Sequence, residues 1–382
     1  MSEARLITID RDFLNNITSL GGVGINKCYQ CGTCTAICPI SDTLSISFRK
    51  TIKYTQLGLK EKVLSDVTPW LCYACGECSE TCPKDAKPGE IMAALRRYLT
   101  FKYDWTGFSK LLYLSKKAEI ISVIILSLIT AFIIYLLKGP VILTTTKLKI
   151  FAPPYIVAWS NLIVFAILSI ILIISIYRSY KMIMSDVFPK PKIPLKIYII
   201  EFIKIIPTHF FTQKLRTLCR KRESYYIIHL LLFYGYAVIF LHHIARHMLI
   251  PLIAPTIHPD ELISRIIGLS AFCALFIGSS IAIYGRSVKS QVHWSYSHST
   301  DWMFIILLWL TSITGLLIDV FRYFNLPLPT YIVFSLHLMF VVPLLVLEVP
   351  FAKWSHLAYR PFAIYFFRLK EAALRLNGGG RI

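Results

Sequence analysis

Six long stretches without a charged residue occupy most of this 382-residue chain beyond its first third. They hold 18 residues between Glu119 and Lys138, 28 between Lys149 and Arg178, and 22 between Glu223 and Arg246. Three more hold 20 between Arg265 and Arg286, 17 between Asp301 and Asp319, and 25 between Arg322 and Glu348. A helix crosses a bilayer with about 17–25 apolar residues. In hydrocarbon only a helix or a closed barrel satisfies its own backbone. The chain therefore reads as a six-span helical membrane protein, with spans at about 118–138, 153–177, 225–247, 263–285, 301–320 and 330–349. Only 16% of residues are charged, against about a quarter in soluble domains, which argues against an ordinary soluble enzyme.

The net charge is +20, and its placement matters more than its size. The 178–225 loop, the 285–300 loop and the tail from 350 carry nineteen Lys and Arg; the alternate loops at 138–154, 246–261 and 322–329 carry five. Positive charge collects on the cytoplasmic side of membrane proteins. The N-terminal domain, the 178–225 loop and the C-terminus are thus expected in the cytoplasm of a multi-pass cell-membrane protein. Loops flanked by lipid account for the basic excess, so no nucleic-acid partner is expected. The opening MSEARLITIDRDFLNN lacks the apolar core of a signal peptide, and the final NGGGRI reads as a frayed end. The amphipathic 195–206 segment (LKIYIIEFIKII) is expected either along the inner membrane surface or against the N-terminal domain.

Eight of the ten cysteines lie within the first 82 residues, in two runs: Cys28-x2-Cys31-x2-Cys34-x3-Cys38-Pro39 and Cys72-x2-Cys75-x2-Cys78-x3-Cys82-Pro83. This is the spacing of bacterial two-cluster ferredoxins, in which the fourth cysteine of each run serves the other cluster. The expected [4Fe–4S] groups are Cys28, Cys31, Cys34 and Cys82, and Cys72, Cys75, Cys78 and Cys38. Structural zinc usually takes separated Cys-x2-Cys pairs, and disulfides would be out of place in a cytoplasmic domain. Gly32, Thr33, Ala74 and Gly76 are small enough for backbone N–H groups to approach a cluster. Cys219 and Cys273 have no partner at ligand spacing and read as structural. No Cys-x2-Cys-His, Gly-x-Gly-x-x-Gly or Walker sequence occurs, so neither covalent haem nor a nucleotide is indicated.

Ionisable groups inside a bilayer are costly and usually functional. His229 and the His242/His243 pair fall on the third span, His337 on the sixth, and His356 just beyond it. At about 100° and 1.5 Å per residue, His243 returns to within about 40° of His229 and lies about 21 Å along the axis. His242 is turned away, whereas His247 shares the face but lies nearer the outer surface. On antiparallel neighbours, His229 would meet His356 and His243 would meet His337. That pattern suits two bis-histidine b haems stacked across the membrane. His209, His258, His293 and His298 read as solvated loop residues. For a quinone pocket, Arg246, His247 and Arg265 are the outer candidates, and Glu348 and Lys353 the inner ones.

CYQCGTCTAICP and WLCYACGECSETCPKDAKPGEIMAALR closely resemble the iron–sulfur C subunits of heterodisulfide reductases. FFTQKLRTLCRKRESYYIIHLLLFYGYAVIFLHH and SLHLMFVVPLLVLEVPFAKWSHLAYRPF resemble the cytochrome b family of nitrate reductase gamma subunits and heterodisulfide reductase E subunits. That second resemblance implies haem ligation by His337, His356 and His229. It leaves the partner of His337 open among His242, His243 and His247, because the spacing here differs from the family's.

The fusion of both modules is similar to the C subunits of quinone-interacting membrane-bound oxidoreductases (Qmo) of sulfate reducers. This resemblance implies electron flow from menaquinol, through flavoprotein subunits A and B, towards adenylylsulfate reductase. The expected fold is mainly α: a helical two-cluster ferredoxin domain (1–110) followed by a six-helix transmembrane cytochrome b bundle (111–382). With no flavin fold, paired Cys-Cys motif, or molybdenum or nickel site, such a chain relays electrons as one subunit of an oxidoreductase and is not catalytic alone. The rival readings are a membrane anchor for a heterodisulfide reductase or hydrogenase, and a channel or transporter with a ferredoxin-like regulatory domain.

Overall fold

The computed structural model describes residues 9–187, 193–219, 223–253, 261–295 and 297–376; the expected frayed end at 377–382 lies outside them. It is 80% helical, with no strand among the described residues, so the chain is mainly α. The longer helices of the N-terminal part are α1 (Arg11–Ser19), α2 (Phe48–Gln56), α3 (Pro88–Tyr103) and α4 (Phe108–Leu114). Asp10 and Ser47 accept the first free N–H groups of α1 and α2, and Pro88 opens α3, where a missing N–H costs nothing.

Beyond them run α5 (Lys116–Leu137), α6 (Pro154–Ile183), α7 (Leu195–Ile205), α8 (Glu223–His243), α9 (Glu261–Val288), α10 (Ser299–Tyr323), α11 (Pro327–Pro343) and α12 (His356–Leu376). Six are long and apolar enough to cross a membrane: α5, α6, α8 with its continuation to Ile253, α9 from Leu262, α10, and α11 with its continuation to Phe351. The continuations of α8 and α11 pass through π turns at Ile244–Leu249 and Leu344–Glu348, so helical-wheel angles stop being additive there. After Phe351 the chain breaks at Ala352 (φ −123°, ψ −142°) and restarts as α12 at His356.

The closest packing in the bundle runs from α8 to α9, α9 to α10, α10 to α11, and α11 to α5. This arc leaves a space between α8 and the segment that follows α11. Two glycines bring α8 and α9 together. A Cβ on Gly235 would stand 3.1 Å from the Ala271 carbonyl oxygen, and one on Gly278 would stand 3.0 Å from Leu232. Close backbone approach of this kind is how helices gain packing contact in lipid, where burial from water offers little.

Packing around the cysteine runs crosses residue 110. The core built on Phe13, Ile17, Trp70, Leu95 and Tyr98 continues into Ile183 at the end of α6 and into Tyr359, Ile364, Phe367 and Leu369 of α12. This explains why α6 runs to Ile183 and not to 177. Arg178 donates to the carbonyls of Tyr103 (3.0 Å) and Lys102 (3.2 Å) at the end of α3, which carries the helix on past the apolar layer. α7 packs one face against the N-terminal core. Ile197 and Tyr198 pack towards this core, while Leu195, Ile199, Phe202 and Ile203 face outward as an apolar stripe.

A buried ion cluster fastens the two parts. Asp301, at the start of α10, takes Arg97 of α3 at 2.7 Å and Lys353 at 2.5 Å, and its side chain is 5% exposed. Removing the carboxylate leaves nearly buried Arg97 facing the partly exposed Lys353, at a cost of about 3 kcal/mol, the low end for a broken buried pair. Asp301→Ala is expected to destabilise the detergent-solubilised protein by that order, read as a fall in the denaturation midpoint.

Glu90 on α3 supplies a pH dependence. Burial pushes its carboxyl up to about 8 from a usual 4.5, with nearby Lys87 opposing. Between those values the folded chain holds a proton that the unfolded chain has released, so this group's contribution to stability falls as pH rises. Glu90→Gln is expected to raise the melting temperature more at pH 8 than at pH 5.

Candidate metal centres

The two cysteine runs fold alike. Gln30 and Gly32 in the first run, and Ala74 and Gly76 in the second, all have positive φ (67°, 90°, 52° and 83°). Each run then enters a one-turn helix, Thr33–Ala36 or Glu77–Glu80. Alternating right- and left-handed residues turn successive N–H groups into one concavity, which suits the anionic sulfur of an iron–sulfur cluster. Backbone N–H groups already point at the thiols: Ala74 N lies 3.3 Å from Cys72 Sγ, and Ala86 N lies 3.3 Å from Cys82 Sγ.

Cys38 and Cys34 line one cavity with Cys72, Cys75 and Cys78 of the other run. The Cys38 thiol is pushed up to about 11, chiefly by burial and further by the charges of Cys72 and Cys75. Around the first run, burial and then the charges of Cys28 and Cys31 raise Cys34. Tyr29 is raised first by desolvation, then by the charges of Cys31 and Cys82. Among the described residues, no three His, Cys, Asp or Glu side chains draw together around a single ion. Cys38, Cys72, Cys75 and Cys78 stand round a cavity, an arrangement suited to a cube of iron and sulfide, whereas a single zinc ion needs its sulfurs about 2.3 Å from one centre. Cys31 is exposed, whereas Cys34 and Cys72 are buried.

The space beside α8 is a cavity of about 1320 Å³ with its mouth included. His229 and His356 both line it, with ring centres 6.5 Å apart. Two imidazoles bound on opposite sides of one metal, with bonds of about 2 Å, place their ring centres at about this separation. His356 Nδ1 lies 2.6 Å from the Lys353 carbonyl, which fixes the proton on Nδ1 and frees Nε2 as a ligand. Burial, then the Lys353 charge, push its pKa down to about 3, so the ring is neutral. His229 Nδ1 is buried without a partner. Tyr225, Phe233, Tyr236 and Trp354 supply aromatic walls, while Arg96, Arg97, Arg216, Arg286, Arg360 and Lys353 bring positive charge, and no carboxylate is among the described lining residues. The donor set suits a flat, apolar, anionic ligand whose metal takes two imidazoles, which is the chemistry of a b haem.

Tyr73 and Ala74 belong to both linings, so one stretch of backbone separates the thiol cavity from the histidine cavity. Arg96 and Arg360 hold that wall by donating to the Cys72 carbonyl at 3.0 and 2.7 Å. The Tyr73 ring lies under Arg360 (4.4 Å) and Arg216 (5.9 Å).

The outer histidines stand differently. His243 Nε2 lies 3.3 Å from Asn161 Nδ2 of α6, and its ring is 5.1 Å from that of His247. His337 Nδ1 bonds Thr314 Oγ1 at 2.9 Å beside Phe272. His242 turns to Ser264 of α9 (2.7 Å). No described ring contact joins His243 to His337, so the structure assembles the inner pair and not the outer one. Among the quinone candidates, Glu348 accepts the Lys353 N–H (3.0 Å), Arg265 lies over the Tyr323 ring (5.6 Å), and Arg246 Nη1 is buried without a partner.

Three histidines expected to be solvated are half-buried instead. His298 caps α10, His293 stacks on Tyr225 (4.3 Å), and burial pushes His209 down to about 4. His258 lies outside the described residues. Of the cavity's six cations, sequence reasoning used Arg216, Arg286 and Arg360 only as topology signals, took Lys353 also as an inner quinone candidate, and passed over Arg96 and Arg97. Arg360 alone carried a local cue, four residues after His356 on the same helical face. The ninth thiol was missed as well: Cys219 is buried in the lining of the Cys38, Cys72, Cys75 and Cys78 cavity.

Comparison with known proteins places the N-terminal part in a class. Residues 24–86 match the 4Fe-4S dicluster domain. The chain is 36% identical over 88 residues to the C subunit of the H(2):CoB-CoM heterodisulfide,ferredoxin reductase of Methanothermobacter marburgensis, covering 23% of this chain and 48% of the relative. It is 36% identical over 107 residues to a protein of Archaeoglobus profundus described as like the heterodisulfide reductase C subunit, covering 27% and 55%. It is 35% identical over 104 residues to an iron-sulfur C subunit of the CoB–CoM heterodisulfide reductase of Methanocaldococcus jannaschii, covering 25% and 55%. The chain thus spans about half the length of the curated relatives it matches. No solved structure matches it.

Cys38→Ala is expected to remove about four iron atoms per chain and the electron-paramagnetic signal of one cluster, with the Cys28, Cys31, Cys34 and Cys82 centre retained. Iron analysis and EPR of dithionite-reduced protein check this.

Proposed function

We propose that this chain is the membrane electron-transfer subunit of an oxidoreductase complex, linking the menaquinone pool to a cytoplasmic redox partner. The observation that carries the reading is the common Tyr73–Ala74 wall between a thiol-lined and an imidazole-lined cavity. Iron–sulfur clusters and b haem, when bound, each supply reversible one-electron chemistry. Cys28, Cys31, Cys34 and Cys82 hold one cluster; Cys72, Cys75, Cys78 and Cys38 hold the second. His229 and His356 hold the inner haem, with Arg96, Arg97, Arg216, Arg286 and Arg360 placed to neutralise its carboxylates. His243 and His337 hold the outer haem, which requires His243 to leave Asn161. Exposed Cys31 marks the side from which a soluble partner approaches.

The donor is menaquinol and the acceptors are Qmo-type flavoprotein subunits A and B, leading to adenylylsulfate reductase. That part rests on the resemblance of the fused modules. A second reading, a membrane anchor for a heterodisulfide reductase, is favoured by the names of the relatives. Purification in mild detergent with mass spectrometry of the retained subunits separates the two.

His356→Ala is expected to halve the b-type absorbance in a reduced-minus-oxidised spectrum. It is also expected to abolish cluster reduction by a menaquinol analogue while dithionite still reduces the clusters. A wild-type protein with no such absorbance would favour a channel or transporter instead.

A further inference from the structure

Six described cations line the histidine cavity, and the protein itself engages four of them. Arg97 and Lys353 share the Asp301 carboxylate, at 2.7 and 2.5 Å. Arg96 and Arg360 donate to the Cys72 carbonyl at 3.0 and 2.7 Å. Arg216 and Arg286 differ. Arg216, on the one-turn helix Lys214–Thr217, is 6% exposed, yet its Nε and Nη2 are buried without a partner among the described residues. Arg286, near the end of α9, likewise has a buried Nε without a described partner, and its Nη1 makes only a long contact (3.4 Å) with the Ala282 carbonyl of its own helix.

Aromatic faces hold both guanidinium groups at the cavity wall. Arg216 lies over Tyr225 (4.2 Å) and Arg286 over Trp294 (5.1 Å), and the two rings meet edge to face at 5.4 Å. Gly285 admits this arrangement, because a Cβ there would stand 2.8 Å from Trp294 Nε1. A stacked guanidinium keeps its N–H edge free to take a carboxylate through two parallel hydrogen bonds. A buried charge with unmet donors is costly unless an anion meets it. Two such groups suit a ligand that carries two carboxylates.

Resting on the b haem reading of this cavity, we propose that, of the five arginines around it, Arg216 and Arg286 are the two that bind the haem carboxylates. Uncompensated carboxylates favour the more positive, oxidised iron, so this pair raises the inner haem's reduction potential.

The test is a redox titration and a resonance Raman spectrum of the whole haem-loaded complex, with the inner haem identified as the component lost in His356→Ala. Arg216→Gln and Arg286→Gln are each expected to keep that haem and to shift its carboxylate-bending band. Each is also expected to lower its reduced-to-oxidised ratio at a fixed potential about tenfold, which is about 59 mV for one electron. Arg216→Lys and Arg286→Lys keep the charge and are expected to move the band with a smaller change in midpoint. Arg368→Gln, on α12 outside the cavity lining, is expected to move neither. An unmoved band in both Gln variants would overturn the proposal even with a shifted midpoint, because a charge acting only through space leaves the carboxylates' hydrogen bonds in place. Should a Gln variant lose the haem, recovery in the matching Lys variant supports the proposal, and loss there too overturns it. A wild-type complex without b-type absorbance would refute the haem reading itself and is distinguishable from either.

Discussion

A carboxylate with two cations holds this molecule's two halves in register. Asp301 begins a transmembrane helix, and its partners arrive from opposite directions: Arg97 from the cysteine domain and Lys353 from the break after α11. The same Lys353 carbonyl orients His356, and α12 follows directly. Three elements that must agree in position, the cysteine domain, the bundle and His356, therefore meet at one charge. Buried ion groups of this kind contribute little net stability compared with a well-packed apolar substitute. Their value here is geometric, because unlike an apolar patch they admit few alternative registers.

The consequence is a thin partition. Residues 73 and 74 lie between cysteine ligands of the second run and also face the histidine cavity. Arginines from α3 and α12 grip the same carbonyl from both sides. Tyr73 cannot swing away without uncovering two guanidinium groups. Rigidity at this point belongs to the proposed electron relay, since transfer over a fixed short path needs no conformational step.

Much of this was legible in the sequence because bilayer and cluster chemistry permit few solutions. Uninterrupted apolar length led to six spans, matching the six helices long and apolar enough to cross a membrane, and the Cys-x2-Cys-x2-Cys-x3-Cys-Pro repeat marked the stretch that matches the 4Fe-4S dicluster domain. Fourteen residues of regular helix between His229 and His243 kept the inner histidine's face predictable. What failed to show were contacts between distant segments. Nothing near Cys219 marks it as a neighbour of Cys75, and nothing in α12 announces that its apolar face completes a core begun at Phe13. His243 and His337 lie in regular helix just ahead of the π turns; what the wheel does not show is the tertiary partner each takes, Asn161 and Thr314.

The place of α12 has a bearing on biogenesis. The cysteine domain leaves the ribosome early, yet part of its apolar core, Tyr359 through Leu369, is synthesised only after every span. Until then the nascent domain exposes the surface that α12 later covers, a state prone to aggregation and oxidative damage. A chain cut short after Phe351 would leave the core around Phe13 without the Tyr359, Ile364, Phe367 and Leu369 side chains that complete it.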